Sequence, residues 1–577
     1  MSAVDIIKSV LMLLAGLGTF LIGLDIMGKN LEGFAGDKLR NLFSKISDKK
    51  ILGIATGCVT TIMAQSSSAT TVMVVGFVNT GMMTLVQATT IIMGANIGTT
   101  LTAYLIALQN LPISAFFCSM ACVGAFMQMS KKTNLKNIGA ILAGVGMLFV
   151  GLSVMSSSMS GVTNIENENG EKVIAVLLKS ISGSTVWSKM LLILIGAVIT
   201  AIIQSSAATT SILIGLCSAG TMELEPAIMV TLGMNIGTCI SAVLASIGQS
   251  ANGKRASVIH LLFNIIGTII FSIILFAAGN YIIPFLENLK IGSDFATSIS
   301  LKIAIFHTIF NVTTTILMYP FINGLTKLAT LIVPDKKSDK DNDEFANKFT
   351  YINDLILKTP SIAMEMLRKE ITKMAQDAKT NLQLSEEMLQ NKDLSKIEEF
   401  EKREKHIDFI NKNLSKFLVK VSNLDITYEN ELEIAAYYHN ISDIERIGDY
   451  AENIVEYTQD LVKAGVDFTD DCKKELQEMI EAVNGELSLT INAFENKTLK
   501  DYYEIDAAED LTDTYYNVLS RNHIVRLNQG ICNAEAASVF ISLIGNLERV
   551  GDHVMNLCNS MKTYVKVPEK KQNLGTN

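Results

Sequence analysis

Charge is missing from a long stretch of this chain: residues 51–130 carry no Lys, Arg, Asp or Glu. A segment of that length without charge does not form the surface of an ordinary soluble domain. No cysteine belongs to a CxxC pair; Cys58, Cys118, Cys122, Cys217, Cys239, Cys472, Cys532 and Cys558 stand singly, most of them in apolar runs. A disulfide framework is therefore not expected, and the soluble part reads as belonging to a reducing compartment. No basic patch stands out and the net charge is −9, which argues against a nucleic-acid partner. No Ser-His-Asp arrangement, GxxxxGK(S/T) loop or zinc motif is present, so an enzyme is not expected. No cleavable signal peptide is evident, because Val10 to Met27 is long enough to span a membrane itself.

What is present is unevenly distributed. Apolar residues make up 49% of the chain and charged ones 18%, the latter dense between 335 and 410. Apolar segments near 9–28, 84–109, 112–130, 137–158, 225–248, 256–283 and 301–333 predict seven full spans. Two longer segments, 51–80 and 190–219, have polar centres and predict re-entrant hairpins, with irregular backbone buried in protein or facing a watery cavity. The expected organisation is a membrane domain over 1–333, a charged linker over 334–348, a helical domain over 349–565 and a tail over 566–577. The fold class is all-α: a polytopic membrane protein of inverted repeats with two re-entrant hairpins, followed by a cytoplasmic domain of two three-helix bundles.

The polar centres are near copies. GCVTTIMAQSSSATTVMVVGFVNTGMM (Gly57 to Met83) aligns without a gap with GAVITAIIQSSAATTSILIGLCSAGTM (Gly196 to Met222), and GANIGTT (Gly94 to Thr100) with GMNIGTC (Gly233 to Cys239). The opening spans also match, GLGTFLIGLDIM (Gly16 to Met27) against GVGMLFVGLSVM (Gly144 to Met155). The repeats cover about 9–130 and 137–283. Basic loops at Lys29, Lys38, Arg40, Lys45, Lys49 and Lys50, at Lys131, Lys132 and Lys136, at Lys254 and Arg255, and at Lys336 and Lys337 mark one face, the cytoplasmic one by the positive-inside rule. Gln109-Asn110, the stretch 160–189 with Glu166, Glu168 and Glu171, and 284–300 fall on the other. Each unit then has three crossings, so the second is inverted relative to the first.

A buried hydroxyl or amide is costly unless partnered, and carrying the cluster twice points to one shared site at a pseudo-symmetry axis. A hairpin turn exposes the amino end of one half-helix, which favours an anion, and loose carbonyls and hydroxyls that suit Na⁺. Neither segment contains Lys or Arg, so a bound anion would depend on N–H dipoles, hydroxyls and co-bound cations. Small residues also let membrane helices pack closely, which weakens a single Gln-Ser-Ser but not an aligned pair. The candidate ligands are Gln65, Ser66, Ser67, Ser68, Gln204, Ser205 and Ser206. Asn96, Thr99, Asn235 and Thr238 are read as ligands or supports, or as capping and packing residues.

The paired QSS(S/A)AT motif with its following NIGT resembles the type II sodium/phosphate cotransporter family, over about residues 10–333. The resemblance implies Na⁺-driven uptake of inorganic phosphate at the cell (plasma) membrane, with both QSS segments forming the site. Ala207 stands where a fourth-position Ser would complete the second copy. The alternatives are another oxyanion, a proton-coupled cycle, or a membrane-anchored phosphate sensor.

The C-terminal half is charged and helical in pattern. ISDIERIGDYAENI (Ile441 to Ile454) repeats as IGNLERVGDHVMNL (Ile544 to Leu557). Four Glu-x-x-x-Asp pairs occur: Glu404/Asp408, Glu445/Asp449, Glu509/Asp513 and Glu548/Asp552. Residues i and i+4 share a helix face, and like charges there repel unless a cation or Arg446 and Arg549 neutralise them. The alternative is a solvated, ion-paired surface. The paired ER(I/V)GD motifs resemble the PhoU family over about 350–565. That resemblance implies metal binding at the eight carboxylates, by divalent ions or iron or zinc, and regulation of phosphate uptake. A cytoplasmic signalling partner and a homo-oligomer are open possibilities.

Overall fold

The structure is a computed structural model. It describes residues 3–44, 49–111, 114–163, 185–292, 294–335, 348–358, 360–424 and 426–568, with positions 165, 173 and 176 between the longer runs. Outside the described residues lie Lys45, Glu166, Glu168, Glu171, Lys336, Lys337, most of the expected linker and the tail from 569. The chain divides into two compact units, residues 1–338 and 339–577. Among the described residues every regular element is helical.

The first unit opens with α1 (Ala3–Ser44), α2 (Lys50–Ala64), α3 (Ser67–Asn79), α4 (Leu85–Ala107) and α5 (Ser114–Gln128). It continues with α6 (Thr133–Thr163), α7 (Val186–Ile203), α8 (Ser206–Ser218), α9 (Leu224–Thr238) and α10 (Ile240–Ala245), then α11 (Ala251–Glu287), α12 (Phe295–Met318) and α13 (Ile322–Ile332). Among the described residues seven stretches are long and apolar enough to cross a membrane. The set differs from the expected one in two places. Helix α5 has 15 residues, about 22 Å at 1.5 Å per residue, shorter than a bilayer core of roughly 30 Å. Helix α7, the first arm of the second hairpin, qualifies by length with 18 residues. Trp187, Ile202, Tyr281, Phe285, Ile316 and Leu331 are exposed on this unit, an apolar surface that suits lipid. The chain is a multi-pass membrane protein.

The duplication is visible in the packing. At the crossing of α1 and α6, a Cβ on Gly16 would lie 2.9 Å from the carbonyl oxygen of Gly151, and one on Gly23 would lie 2.8 Å from that of Gly144. Gly16 aligns with Gly144 and Gly23 with Gly151, so each glycine meets its partner's counterpart. Sequence numbers rise on one helix as they fall on the other, so the helices are antiparallel about a local two-fold. Close crossings repeat too. A Cβ on Gly94 would sit 1.9 Å from the Ile54 carbonyl oxygen on α2, and one on Gly233 would sit 1.9 Å from that of Ile193 on α7.

The two-fold relation extends to the loops. The shift of 139 positions that carries Gln65 onto Gln204 carries Asn79 onto Ser218, and Asn110 onto Gln249. The Asn79 side chain accepts from the Ser250 N–H at 2.7 Å, while the Asn110 amide donates to the Ser218 hydroxyl at 3.1 Å. Each hairpin's far end thus meets the other repeat's loop. One group of loops joins 79 with 250; the other joins 110 and 218 with Ser300 and Thr297. This grouping matches the alternation expected from the charges. Arg255 does more than mark a face: it is buried, donating to the Val333 carbonyl and pairing with Asp335 at 2.7 Å.

The second unit holds α14 (Pro360–Asn391), α15 (Ile397–Ser422), α16 (Tyr428–Ala464), α17 (Asp470–Glu495), α18 (Tyr502–Asn528) and α19 (Ala534–Met561). Helices α14–α16 pack together, as do α17–α19, and α16 packs along α19 to join the two bundles. Leu367, Ile407 and Ile444 fill one core, and Val483, Ile505 and Leu547 the other.

Candidate functional site

Both hairpins break in the same way. α2 ends at Gln65, whose backbone is left-handed (φ 49°, ψ 24°), and α7 ends at Gln204 (φ 57°, ψ 21°). A non-glycine residue in this region is uncommon and costs of order 1 kcal/mol or more. The following serine is extended and caps the next helix. The Ser66 hydroxyl accepts from the Ala69 N–H at 3.1 Å, and the Ser205 hydroxyl accepts from the Ala208 N–H at 3.2 Å. The earliest N–H groups of α3 and α8 have no acceptor within their own helix and carry the positive end of its dipole.

The two breaks converge. Gln65, Ser66, Ser67, Ser68, Gln204, Ser205 and Ser206 line one cavity of about 50 Å³, together with Thr99, Thr102 and Ala207. A water needs roughly 10–15 Å³ of such space, so the cavity has room for a few waters or one small oxyanion. Among the described residues no charged side chain lines it. Its polar groups are hydroxyls, amides and helix amino ends, which stabilise an anion and leave oxygens for a hard cation.

Gln65 is held on both sides. Its Nε2 donates to the Ile62 carbonyl at 2.6 Å, and its Oε1 accepts from the Thr102 hydroxyl at 3.2 Å. Thr102 was absent from the sequence candidates. Its signal was available, because the shift of 139 places Ser241, another hydroxyl, at the matching position. The Thr61 hydroxyl donates to that of Thr70 at 3.0 Å and ties the two arms of the first hairpin.

Three sequence candidates do not line the cavity. Asn96 donates to the Ile92 carbonyl and Thr238 to that of Met234. Asn235 donates to the Thr231 carbonyl, and its Oδ1 meets His307 Nε2 at 3.2 Å. Thr99 lines the cavity while Thr238, its counterpart, is buried elsewhere. α4 runs on through Ala107, whereas its counterpart is interrupted between α9 and α10.

In the second unit the Glu-x-x-x-Asp carboxylates form two groups, one per bundle. Burial, with Asp408, Glu452 and Asp449 adding to it and an Asn381 donation at 3.3 Å opposing it, pushes the Glu404 carboxyl up to about 7. Burial, then Asp449 and Asp408, raise Glu445, and burial, then Asp408, raise Asp449. In the second bundle burial raises Glu509 and Glu548, with Asp513 and Asp552 adding to both. Arg446 and Arg549 oppose these shifts without cancelling them. One carboxylate escaped the sequence reading. Glu486 is fully buried, both its oxygens lack a partner, and burial with Glu509, Asp552 and Asp513 pushes it up to about 9. The shift of 105 that carries Glu404 onto Glu509 carries Asn381 onto Glu486, so an amide in the first bundle is a carboxyl in the second.

The Na⁺/Pi-cotransporter family model matches residues 19–157 and again 162–287, and the PhoU domain model matches 371–458 and 476–561. The uncharacterised protein YqeW of Bacillus subtilis is 30% identical over 317 residues, which cover 55% of this chain and 96% of YqeW. The chain belongs to the Na⁺/Pi-cotransporter family. A Salmonella typhimurium protein named for inorganic phosphate export, YjbB, is 22% identical over 98% of this chain and 99% of its own length. The human sodium-dependent phosphate transport protein 2B is 36% identical over 106 residues, 18% of this chain and 15% of that protein. No solved structure matches the chain. Each Na⁺/Pi match contains one Gln-Ser-Ser copy, and the PhoU matches fall one on each bundle.

Proposed function

We propose that the chain moves inorganic phosphate inward across the cell membrane together with Na⁺, through the cavity between the two Gln-Ser-Ser breaks. The observation that carries this reading is that both aligned breaks line one uncharged, oxygen-rich cavity. A multiply charged anion in such a place costs much in desolvation. The amino ends of α3 and α8, with the hydroxyls of Ser66, Ser67, Ser68, Ser205 and Ser206, replace part of its hydration. Na⁺ on the remaining oxygens lowers the cost further, and this shared stabilisation couples the two solutes. Thr99 and Gln65 sit beside the anion; Asn96, Asn235 and Thr238 support the helices around it.

The second unit, read as cytoplasmic from the basic loops, regulates transport. The unpartnered oxygens of Glu486 beside Glu509, Asp513 and Asp552, and the carboxylates of Glu404, Asp408, Glu445 and Asp449 in the first bundle, are of the kind a hard cation takes, and they would draw together around it, since among the described residues no three of them lie within 4.8 Å of one another. A metal bound there would supply positive charge that holds the carboxylates together.

The test is uptake of ³²P-phosphate into proteoliposomes with and without an inward Na⁺ gradient. Uptake that depends on the gradient supports the reading; equal uptake in both defeats the coupling. A second reading is export, favoured by the full-length similarity to YjbB. Efflux from phosphate-loaded vesicles that exceeds influx under matched gradients would select it.

A further inference from the structure

Two cysteines distant in sequence meet in the second unit. Cys472, in the first turn of α17, and Cys532, in the turn between α18 and α19, lie with His523 of α18 so that one ligand atom from each falls within 4.8 Å of the others. Among the described residues this is the one group of three or more Cys, His, Asp or Glu so close. Cys472 and His523 are buried, and Cys532 is partly exposed. We propose that these three residues form a binding site for a thiophilic divalent ion, zinc being the fitting case, with Cys472, Cys532 and His523 as ligands and the fourth position open to water.

The geometry suits that ion. Zinc–sulfur bonds of about 2.3 Å and zinc–nitrogen bonds of about 2.0 Å at a tetrahedral angle place S and N roughly 3.5 Å apart. Cys472 Sγ and His523 Nδ1 are 3.6 Å apart. The His523 ring is fixed by stacking on Phe540, with centroids 4.5 Å apart. The backbone around Cys532 is fixed as well: Gly530 is left-handed at φ +70°, and the Asn533 side chain caps α19 by accepting from the Glu535 and Ala536 N–H groups. Nearby Arg526 is paired with both Glu475 oxygens at 3.1 and 2.7 Å, which offsets part of its positive charge at the site. Sulfur and imidazole exclude Ca²⁺ and Mg²⁺, which take oxygen. Two thiolates balance a divalent ion, each thiol passing its proton to the buffer as its metal–sulfur bond forms. The ion would clamp the start of α17 to the turn joining α18 and α19.

The test uses the full chain in detergent, reduced, stripped with chelator and titrated with Co²⁺, then Zn²⁺. Cobalt on thiolates gives sulfur-to-metal charge-transfer absorption that carboxylate-bound cobalt does not, so the acidic groups are silent in this readout. The expected result is a band saturating at one Co²⁺ per chain, displaced by Zn²⁺, lost in Cys532→Ser and kept in Cys122→Ser. His523→Gln should shift or weaken it. Cys532 lies in a partly exposed turn, and circular dichroism checks that its variant remains folded. Absence of the band in the reduced wild type, its persistence in folded Cys532→Ser, or a Cys472–Cys532 disulfide with no cobalt binding after reduction would each overturn the proposal.

Discussion

Replacing Glu486 by Gln should make the second unit more stable in the absence of metal, and the gain should grow with pH. The carboxyl normally ionises near 4.5 and is pushed up to about 9 by burial and by Glu509, Asp552 and Asp513. Between those values the folded protein keeps its proton while the unfolded chain has lost it. The unfolded state then binds fewer protons, so Glu486 makes stability fall as pH rises from about 4.5 to about 9. At pH 7 the cost is about 3 kcal/mol, taking about 1.4 kcal/mol per pH unit above 4.5. The side chain is fully buried, so solvent offers little screening. For a unit of this size about 1 kcal/mol moves the melting temperature by roughly 2–4 °C, giving a gain of roughly 6–12 °C for Glu486→Gln at pH 7.

The assay is thermal melting of the full chain in detergent with chelator at pH 5, 7 and 8.5, read as the difference between wild type and variant. The difference should be small at pH 5 and widen steadily. A difference that stays constant across this range would refute the reasoning, because a pH-independent change comes from packing or hydrogen bonding and not from the carboxyl's ionisation. Adding a hard cation should raise the wild type more than the variant, since ionised Glu486 supplies a ligand that Gln replaces poorly.

Ser66→Leu or Ser205→Leu should abolish phosphate uptake in proteoliposomes while size-exclusion chromatography still shows a folded protein, because the leucine removes a helix cap and fills the cavity. Gly94→Val should yield little folded protein, since its first side-chain carbon would lie 1.9 Å from the Ile54 carbonyl oxygen; Gly233→Val should do the same. Ala207→Ser, which adds a hydroxyl on the second hairpin, should lower the phosphate concentration for half-maximal uptake by about fivefold, one added hydrogen bond being worth about 1 kcal/mol. Thr102→Val should raise the phosphate concentration for half-maximal uptake by a factor of roughly 2–10, the cost of the lost hydrogen bond to Gln65.

The frame of the molecule was legible because its signals are local or repeated. Gln-Ser-Ser inside apolar sequence is costly enough to demand a special environment, and the constant shift of 139 positions identified its partner. The four Glu-x-x-x-Asp pairs likewise announced the helix faces that group the carboxylates. What was not legible depends on which turn of a helix faces inward. Asn96 lies one turn before Thr99 on α4, and only the latter borders the cavity. Asn235 has its oxygen turned toward His307, a partner 72 residues away. Glu486 carries no motif; it acquires meaning from its burial and from Asn381 at the matching position. Cys472 and Cys532 look solitary because the helix turn that joins them is tertiary.

The departures from symmetry matter as much as the symmetry. The first repeat brings Ser68 from its hairpin and Thr99 and Thr102 from α4 to the cavity; the second brings Ala207, while Thr238 is turned away. The Thr61–Thr70 bond that ties the first hairpin has no copy, for the Thr200 hydroxyl is buried without a partner. Hydroxyl oxygen therefore gathers on the first repeat's side. A hard cation binds where oxygens are dense, whereas an anion needs helix amino ends, which both repeats supply equally. On the proposed mechanism this places Na⁺ against the first hairpin and the anion between the two. Removing the Ser68 hydroxyl should then weaken Na⁺ dependence more than phosphate affinity. Equal loss of both in Ser68→Ala would mean that the two solutes share the hydroxyl and that the division between repeats is wrong.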